Sequence, residues 1–136
     1  MLKKALILSL ALCPLGQAAL AMTEAAQIKP ILTATKGSWV AVREFNGNDL
    51  LYFTHLEAWR CGLDGVNYQI NGGDVENWTL ETCYEGEAAP NAMKEEGRLP
   101  YITLPLGSVE NVTVTIQYDD GSEDSATFER NAIKTP

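Results

Sequence analysis

The strongest constraint on the fold is a series of short segments in which apolar and polar residues alternate. Over residues 112–118, apolar residues at every second position are separated by threonine and glutamine, and 66–70 repeats the pattern. Successive side chains of a strand point to opposite faces, so the alternation predicts half-buried strands. Turn sequences such as Asn46-Gly47 and Gly72-Gly73 divide these segments. We therefore expect an all-β chain folded as an antiparallel β-sandwich.

The last predicted hairpin resembles one found at the end of many bacterial immunoglobulin-like and fibronectin-like domains. The shared feature is the order V-x-V-x-I-x-Y-x-D-G from Val112 to Gly121. The hairpin that shows the resemblance covers about twenty residues, and the shared order takes up ten of them. It implies immunoglobulin-like, Greek-key connections between the strands.

Residues 1–21 have the organisation of a secretory signal peptide. Two lysines near the start precede an apolar run over 5–12, and small residues stand at Ala19 and Ala21. The run is shorter than the roughly 20 residues that span a bilayer, so no transmembrane anchor is expected. A lipid anchor on Cys13 would need a small residue before it, where this chain has leucine. We expect cleavage after Ala21 and a periplasmic or secreted protein.

The rest of the chain divides into two parts. Residues 22–37 are expected to be an irregular N-terminal segment, and 38–136 a single β-sandwich domain. Within that domain, residues 50–61 are expected to form one long strand with a bulge. Residues 84–99 have no strand character, and at most a short helix is expected around 90–96, opened by a proline.

Removal of the leader makes the protein more acidic. The 136-residue chain has a formal charge of −8, and the leader contains two lysines and no acidic residue. The remaining 115 residues therefore have a charge of −10. Such a charge disfavours nucleic acid and anionic lipid as partners. It is compatible with a cationic protein partner, and equally with a surface that is simply well solvated.

The mature chain contains two cysteines, Cys61 and Cys83, because Cys13 leaves with the leader. In an oxidising compartment an even pair predicts a disulfide. A bridge closing a loop of about 23 residues would stabilise the fold by about 3 kcal/mol in the chain-entropy model. Its cysteines are closer in sequence than those that bridge the sheets of an immunoglobulin domain.

His55 and Glu57 are the candidate catalytic residues. On a regular strand they would share a face, and a carboxylate can orient a histidine to act as a general base. The chain has no G-x-S-x-G elbow to supply a nucleophile. A small hydrolase is therefore the alternative function, and a surface histidine beside an acid the simpler interpretation.

The turn at residues 119–124 is a candidate calcium site. Asp119, Asp120 and Asp124 offer the carboxylate oxygens that calcium prefers. The spacing does not match an EF-hand, because Gly121 comes too early. The simpler interpretation is a hairpin turn that is polar because it lies in solvent. We expect no cofactor.

The segment 85–99 is the candidate binding loop, since long irregular segments in compact domains often carry function. Aromatic, acidic and methionine side chains in or beside it are the candidate contacts. These residues are Tyr84, Glu85, Glu87, Met93 and Tyr101.

Together these features predict a non-enzymatic binding module outside the cytoplasm. Its partner would be a protein. A cationic protein and an assembly in the cell envelope are equally compatible with the sequence. A hydrolase or calcium-binding domain is the alternative, and a purely structural accessory domain the third.

Overall fold

The computed structural model describes residues 22–136, so the leader expected at 1–21 lies outside the described residues. The described chain is mostly β, as predicted, with short helices. Its strands are β1 Ala41–Phe45, β2 Asn48–Tyr52, β3 Leu63–Ile70, β4 Glu76–Trp78, β5 Tyr101–Pro105, β6 Asn111–Tyr118 and β7 Glu123–Glu129. Its helices are α1 Ala25–Ala34, α2 Thr54–Ala58 and α3 Arg130–Ile133, with 3₁₀ turns at Lys36–Ser38 and Arg60–Gly62.

The strands form two antiparallel sheets. The small sheet has the order β1-β2-β5, and the large sheet has the order β4-β3-β6-β7. The β1–β2 hairpin closes at Asn46 and Gly47, which both have positive φ angles, 51° and 76°. Asparagine and glycine tolerate this conformation best, and the predicted turn is confirmed.

The N-terminal segment 22–37 was predicted to be irregular. This prediction is wrong, because the segment contains α1. The buried residues of α1 are Ala25, Ile28 and Leu32, which lie on one face of a helix. Before its first turn, Gln27 Oε1 accepts hydrogen bonds from the N–H groups of Thr23 (3.1 Å) and Glu24 (3.2 Å). The helix was missed because its apolar stripe is short and contains a proline.

Helix α1 packs directly onto the turn that precedes β3. A Cβ atom on Gly62 would lie 2.4 Å from Cδ1 of Ile28, so the contact requires glycine. At the other end of the helix, Trp39 Nε1 donates to the carbonyl oxygen of Leu32 at 2.9 Å. This bond satisfies a carbonyl that the helix leaves without a partner.

The long strand predicted over 50–61 is also wrong, because β2 ends at Tyr52 and α2 follows. The apolar residues change phase after Phe53, and this change marks a helical period rather than a bulge. Phe53, Leu56, Glu57 and Arg60 have the spacing of one helical face, and all four are buried.

The short helix expected around 90–96 does not form. Between β4 and β5, residues 79–100 contain only turns and extended chain. The absence of strand character predicted for 84–99 is confirmed.

One hydrophobic cluster receives side chains from both sheets and from α1. Ile28 of α1, Leu51 of β2, Ile116 of β6 and Phe128 of β7 belong to it. No helix within residues 22–136 is long and apolar enough to cross a membrane.

A buried ion pair joins the two sheets. Asp49 of β2 accepts hydrogen bonds from both terminal nitrogens of Arg130, at 2.6 and 2.9 Å, at the end of β7. The same carboxylate accepts the N–H groups of Gly107 (3.0 Å) and Val109 (3.1 Å), between β5 and β6. Four hydrogen bonds on one buried carboxylate thus fix three chain segments that are distant in sequence.

Replacing Asp49 with alanine should destabilise the protein by about 3–5 kcal/mol, because Arg130 loses a buried partner. Urea denaturation measures the change. The matched control is Glu44→Gln, which removes the exposed partner of the same arginine and should leave the free energy of unfolding close to wild type. Equal effects of the two substitutions would contradict the role given to the buried pair.

The same pair predicts how stability depends on pH. Arg130 holds the pKa of the Asp49 carboxyl well below its usual range, and the two N–H groups contribute, although burial opposes them. In the unfolded chain the pKa is about 3.9. The carboxylate therefore stabilises the fold fully above that value, and the contribution is lost as the pH falls toward the folded pKa. Between about pH 5 and pH 2 wild type should lose more free energy of unfolding than Asp49→Ala.

Candidate functional site

Residues 79–99, here called the locked loop, are held by the buried side chain of Arg60. Its guanidinium donates to the carbonyl oxygens of Thr82 (2.9 and 3.0 Å), Asn91 (2.8 Å) and Ala92 (2.7 Å). It also donates to the carbonyl oxygen of Glu57, at 3.0 Å, in α2. One side chain thus provides hydrogen-bond donors for loop carbonyl groups that have no partner in a helix or a strand.

Two buried glutamates complete the anchorage. Glu81 accepts hydrogen bonds from the N–H groups of Lys94 (2.9 Å) and Glu95 (3.1 Å). Burial raises the pKa of Glu81, but these N–H groups and Arg60 outweigh it, so the pKa lies below its ordinary value. Glu57 accepts from Trp78 Nε1 (2.9 Å) and from the Glu81 N–H (3.1 Å). Glu81 therefore joins the two limbs of the loop to each other, and Glu57 joins the loop to α2.

The predicted disulfide is confirmed. Cys61 and Cys83 are bonded, with 5.0 Å between their Cα atoms. The N–H of Cys61 donates to Asn91 Oδ1 at 2.9 Å, on the far side of the loop. The bridge and Arg60, adjacent in sequence, hold both limbs of the loop.

The outer surface of the locked loop combines apolar and acidic side chains. Met93 is 49% exposed and Leu99 57% exposed. A cavity of about 260 Å³ lies beside Met93, between the loop and α2. Glu85 and Glu87, predicted as contacts, are both exposed on the same loop.

The two predicted tyrosine contacts have different surroundings. The ring of Tyr84 lies near Lys94 Nζ (4.6 Å from the ring centre) and near the guanidinium of Arg60 (5.7 Å), so it takes part in the anchorage. Tyr101 lies on β5, and its ring centre is 5.0 Å from that of Tyr52 on β2.

His55 and Glu57 do not share a strand face as predicted. They lie two positions apart on α2, and such residues do not face each other on a helix. Glu57 bonds within the buried network, whereas Nε2 of His55 lies 2.8 Å from Oγ1 of Thr35. Burial lowers the pKa of His55, which favours the neutral imidazole.

A cleft of about 540 Å³ opens beside His55. Arg43, Tyr52 and Thr54 are among the residues that line it, together with the apolar Ala58. The volume is in the range of pockets that hold small organic molecules. The cleft combines an apolar wall with a cation and an imidazole.

The acidic turn at 119–124 contacts α1 and the 3₁₀ turn that follows it. Asp119 Oδ1 accepts the N–H of Ala25 at 3.1 Å, Asp120 pairs with Lys29, and Asp124 pairs with Lys36 at 2.9 Å. In the part of the chain that the structure describes, no group of three or more histidine, cysteine, aspartate or glutamate residues is arranged to hold a metal ion.

Sequence reasoning missed two residues that shape these sites. Arg60 lies at helical spacing from Phe53 and next to a cysteine, which is the signal that could have indicated its burial. Arg43 carries no signal in the sequence, because its importance depends on which carboxylates the fold brings near it.

Comparison with known proteins gives no relative for this chain. No protein-family model, curated protein sequence or solved structure matches it. Function is therefore inferred from the geometry of the locked loop and of the cleft.

Replacing Arg60 with methionine should release the locked loop, because the loop carbonyls lose their donors. Amide hydrogen exchange measures this release. The Lys94 and Glu95 amides should exchange much faster, while amides in the centre of β6 stay protected. Arg43→Met, which removes an exposed arginine, should change neither set. Unchanged protection at Lys94 and Glu95 would contradict the anchoring role.

Proposed function

We propose that the protein is an exported, non-enzymatic binding module that recognises a protein partner through the locked loop. The observation that carries the proposal is the contrast between the inside and the outside of this loop. Inside, Arg60, Glu57, Glu81 and a disulfide fix the main chain. Outside, large apolar side chains are left in solvent.

Rigidity is what favours binding over a passive surface role. A loop that is already ordered loses little conformational entropy when a partner docks, so more of the contact energy appears as affinity. Met93 and Leu99 are suited to act as anchors, because both offer a large exposed apolar area and the flexible methionine side chain adapts to the surface that it contacts. The cavity beside Met93 would receive an apolar side chain of the partner.

Charge favours a cationic partner. Four exposed carboxylates lie on the same loop as the two anchors; they are Glu85, Glu87, Glu95 and Glu96. Glu87 pairs with Lys94 and Glu95 with Arg98, which leaves Glu85 and Glu96 without a cation on the loop. Excluding the leader, the chain has a formal charge of −10. Opposite charge on the partner would accelerate association and fix its orientation, with the apolar anchors supplying the affinity.

Two further parts of the proposal concern architecture and location. A sandwich of the two sheets is supported by the single hydrophobic cluster to which both contribute. Immunoglobulin-like connections stay a prediction. Export is supported by the composition of residues 1–21 and by the disulfide, a bond that persists in oxidising compartments.

Export predicts a defined N-terminus. When the chain is expressed in a bacterium and recovered from its periplasm or medium, the protein should begin at Met22, because Ala19 and Ala21 present a peptidase site. Intact mass and N-terminal sequencing measure this. Recovery of the uncleaved chain in the cytoplasm would contradict the proposal.

The double substitution Met93→Ala and Leu99→Ala should abolish partner binding while leaving the fold intact. Both side chains are about half exposed, and when Arg60 loses its 3.3 Å contact with Met93 Sδ it keeps the carbonyl oxygens of Asn91 and Ala92. Immobilised wild-type and variant proteins are compared for the proteins they retain from the exported fraction of the native host. The matched control is Val75→Ala, which shortens an apolar side chain that is 64% exposed outside the loop.

The expected result is a protein retained by wild type and Val75→Ala but not by the double variant. Retention should also weaken with rising salt, because the partner is cationic. Identical retention by all three proteins would contradict the assignment of the loop.

A further inference from the structure

Arg43 differs from every other cationic side chain in the described structure. Residues 22–136 contain eight lysine and arginine residues, and seven of them pair with carboxylates. Arg43 pairs with none, and its guanidinium lies 4.8 Å from the ring centre of Phe45. Residues 1–21 contain no aspartate or glutamate that could serve as its partner. In so acidic a protein, an arginine without a carboxylate is a conspicuous exception.

The fold places this arginine on the outer face of the small sheet. Ala41 pairs with Tyr52, and Arg43 pairs with Leu50, so these four side chains share one face. Val42 and Leu51 point to the opposite face and into the hydrophobic cluster. Leu50 is also buried but does not belong to that cluster, so this outer face has an apolar floor of its own.

Side chains from α2 and from the turn before β1 extend the same face into the cleft of about 540 Å³. Ala41, Arg43 and Tyr52 line it from the sheet, Thr54 and His55 line it from α2, and Ser38 lies at its rim. The cleft thus has an aromatic and aliphatic wall, one unpaired cation and several hydroxyl groups. This combination is typical of small-molecule sites, where a few polar groups fix the orientation of an apolar ligand.

The hydrogen bonds of Thr35 fix the proton of His55. Thr35 Oγ1 lies 2.7 Å from the carbonyl oxygen of Ile31 and 2.8 Å from His55 Nε2. A hydroxyl has one hydrogen, and a carbonyl oxygen can only accept. Both contacts are hydrogen bonds only if Thr35 donates to Ile31 and Nε2–H of His55 donates to Thr35. Nδ1 is then an acceptor, and no residue within 22–136 donates to it.

We propose that this cleft binds a small organic carboxylate that has an aromatic or apolar body and a hydroxyl group. Arg43 would hold the carboxylate through the two parallel N–H donors of its guanidinium. The apolar body would lie against Tyr52 and Ala58, and His55 Nδ1 would accept from the hydroxyl. A single guanidinium suits a monoanion better than a phosphate, which usually binds several cations or main-chain N–H groups. This site does not depend on the locked loop.

The test uses 4-hydroxyphenylacetate, which combines the three features, titrated into the ¹⁵N-labelled protein. Saturable chemical-shift changes are expected at Arg43, Tyr52 and Thr54. The uncharged 4-hydroxyphenylacetamide should bind roughly tenfold or more weakly, because it lacks the charge-assisted hydrogen bonds. Phenylacetate, which lacks the hydroxyl, should bind severalfold more weakly than the hydroxylated acid.

Substitutions separate the site from a general effect of charge. Arg43→Gln should weaken binding of 4-hydroxyphenylacetate roughly tenfold or more. Lys94→Gln removes an exposed cation that is paired on the locked loop and should leave binding unchanged. Spectra of both variants away from the substitution show whether the fold is retained.

Three outcomes would overturn the proposal. These are an absence of shifts at millimolar ligand, equal affinity for the acid and the amide, and unchanged affinity in Arg43→Gln. Equal affinity for phenylacetate and 4-hydroxyphenylacetate would remove the role given to His55. Loss of protein binding by the Met93 and Leu99 variant does not bear on these measurements, so the two proposals fail independently.

Discussion

In the locked loop, which contains no helix or strand, a buried arginine supplies the hydrogen-bond donors that secondary structure would otherwise supply. A main-chain carbonyl removed from water must find a donor, and helices and sheets normally supply one. The locked loop has neither, and Arg60 supplies five N–H donors from one side chain. Its position between α2 and β3 places those donors beside both limbs of the loop. The negative charges of Glu57 and Glu81 offset the cost of burying the guanidinium.

Charge pairing inside and around the fold determines what the surface can offer. Most cations are used internally, on Asp49, on the acidic turn and in the network around Arg60. The carboxylates in excess remain in solvent and make the protein acidic. Arg43 lies outside this pairing, so the cleft has a local character opposite to that of the whole molecule. The locked loop and the cleft therefore suit chemically different ligands.

The sequence predicted those features that depend on neighbouring residues. Alternation identified β6, the Asn46-Gly47 dipeptide identified the first hairpin, and the count of cysteines identified the bridge. Helix α2 was misread because five residues hold little more than one helical turn, too little to distinguish a helical period from a bulge. The environment of Arg60 could not be predicted, since its main-chain acceptors lie up to 32 residues away in an irregular segment.

The anchorage of the loop depends mainly on main-chain atoms. Arg60 binds carbonyl oxygens, and Glu81 binds N–H groups, at positions where nearly any amino acid presents the same atoms. Exposed residues such as Leu99 can therefore be exchanged while the path of the loop is preserved. During evolution, the path of the loop can therefore stay constant while its binding specificity changes. A lineage could acquire new partners by substitution at the tip of the loop without refolding it.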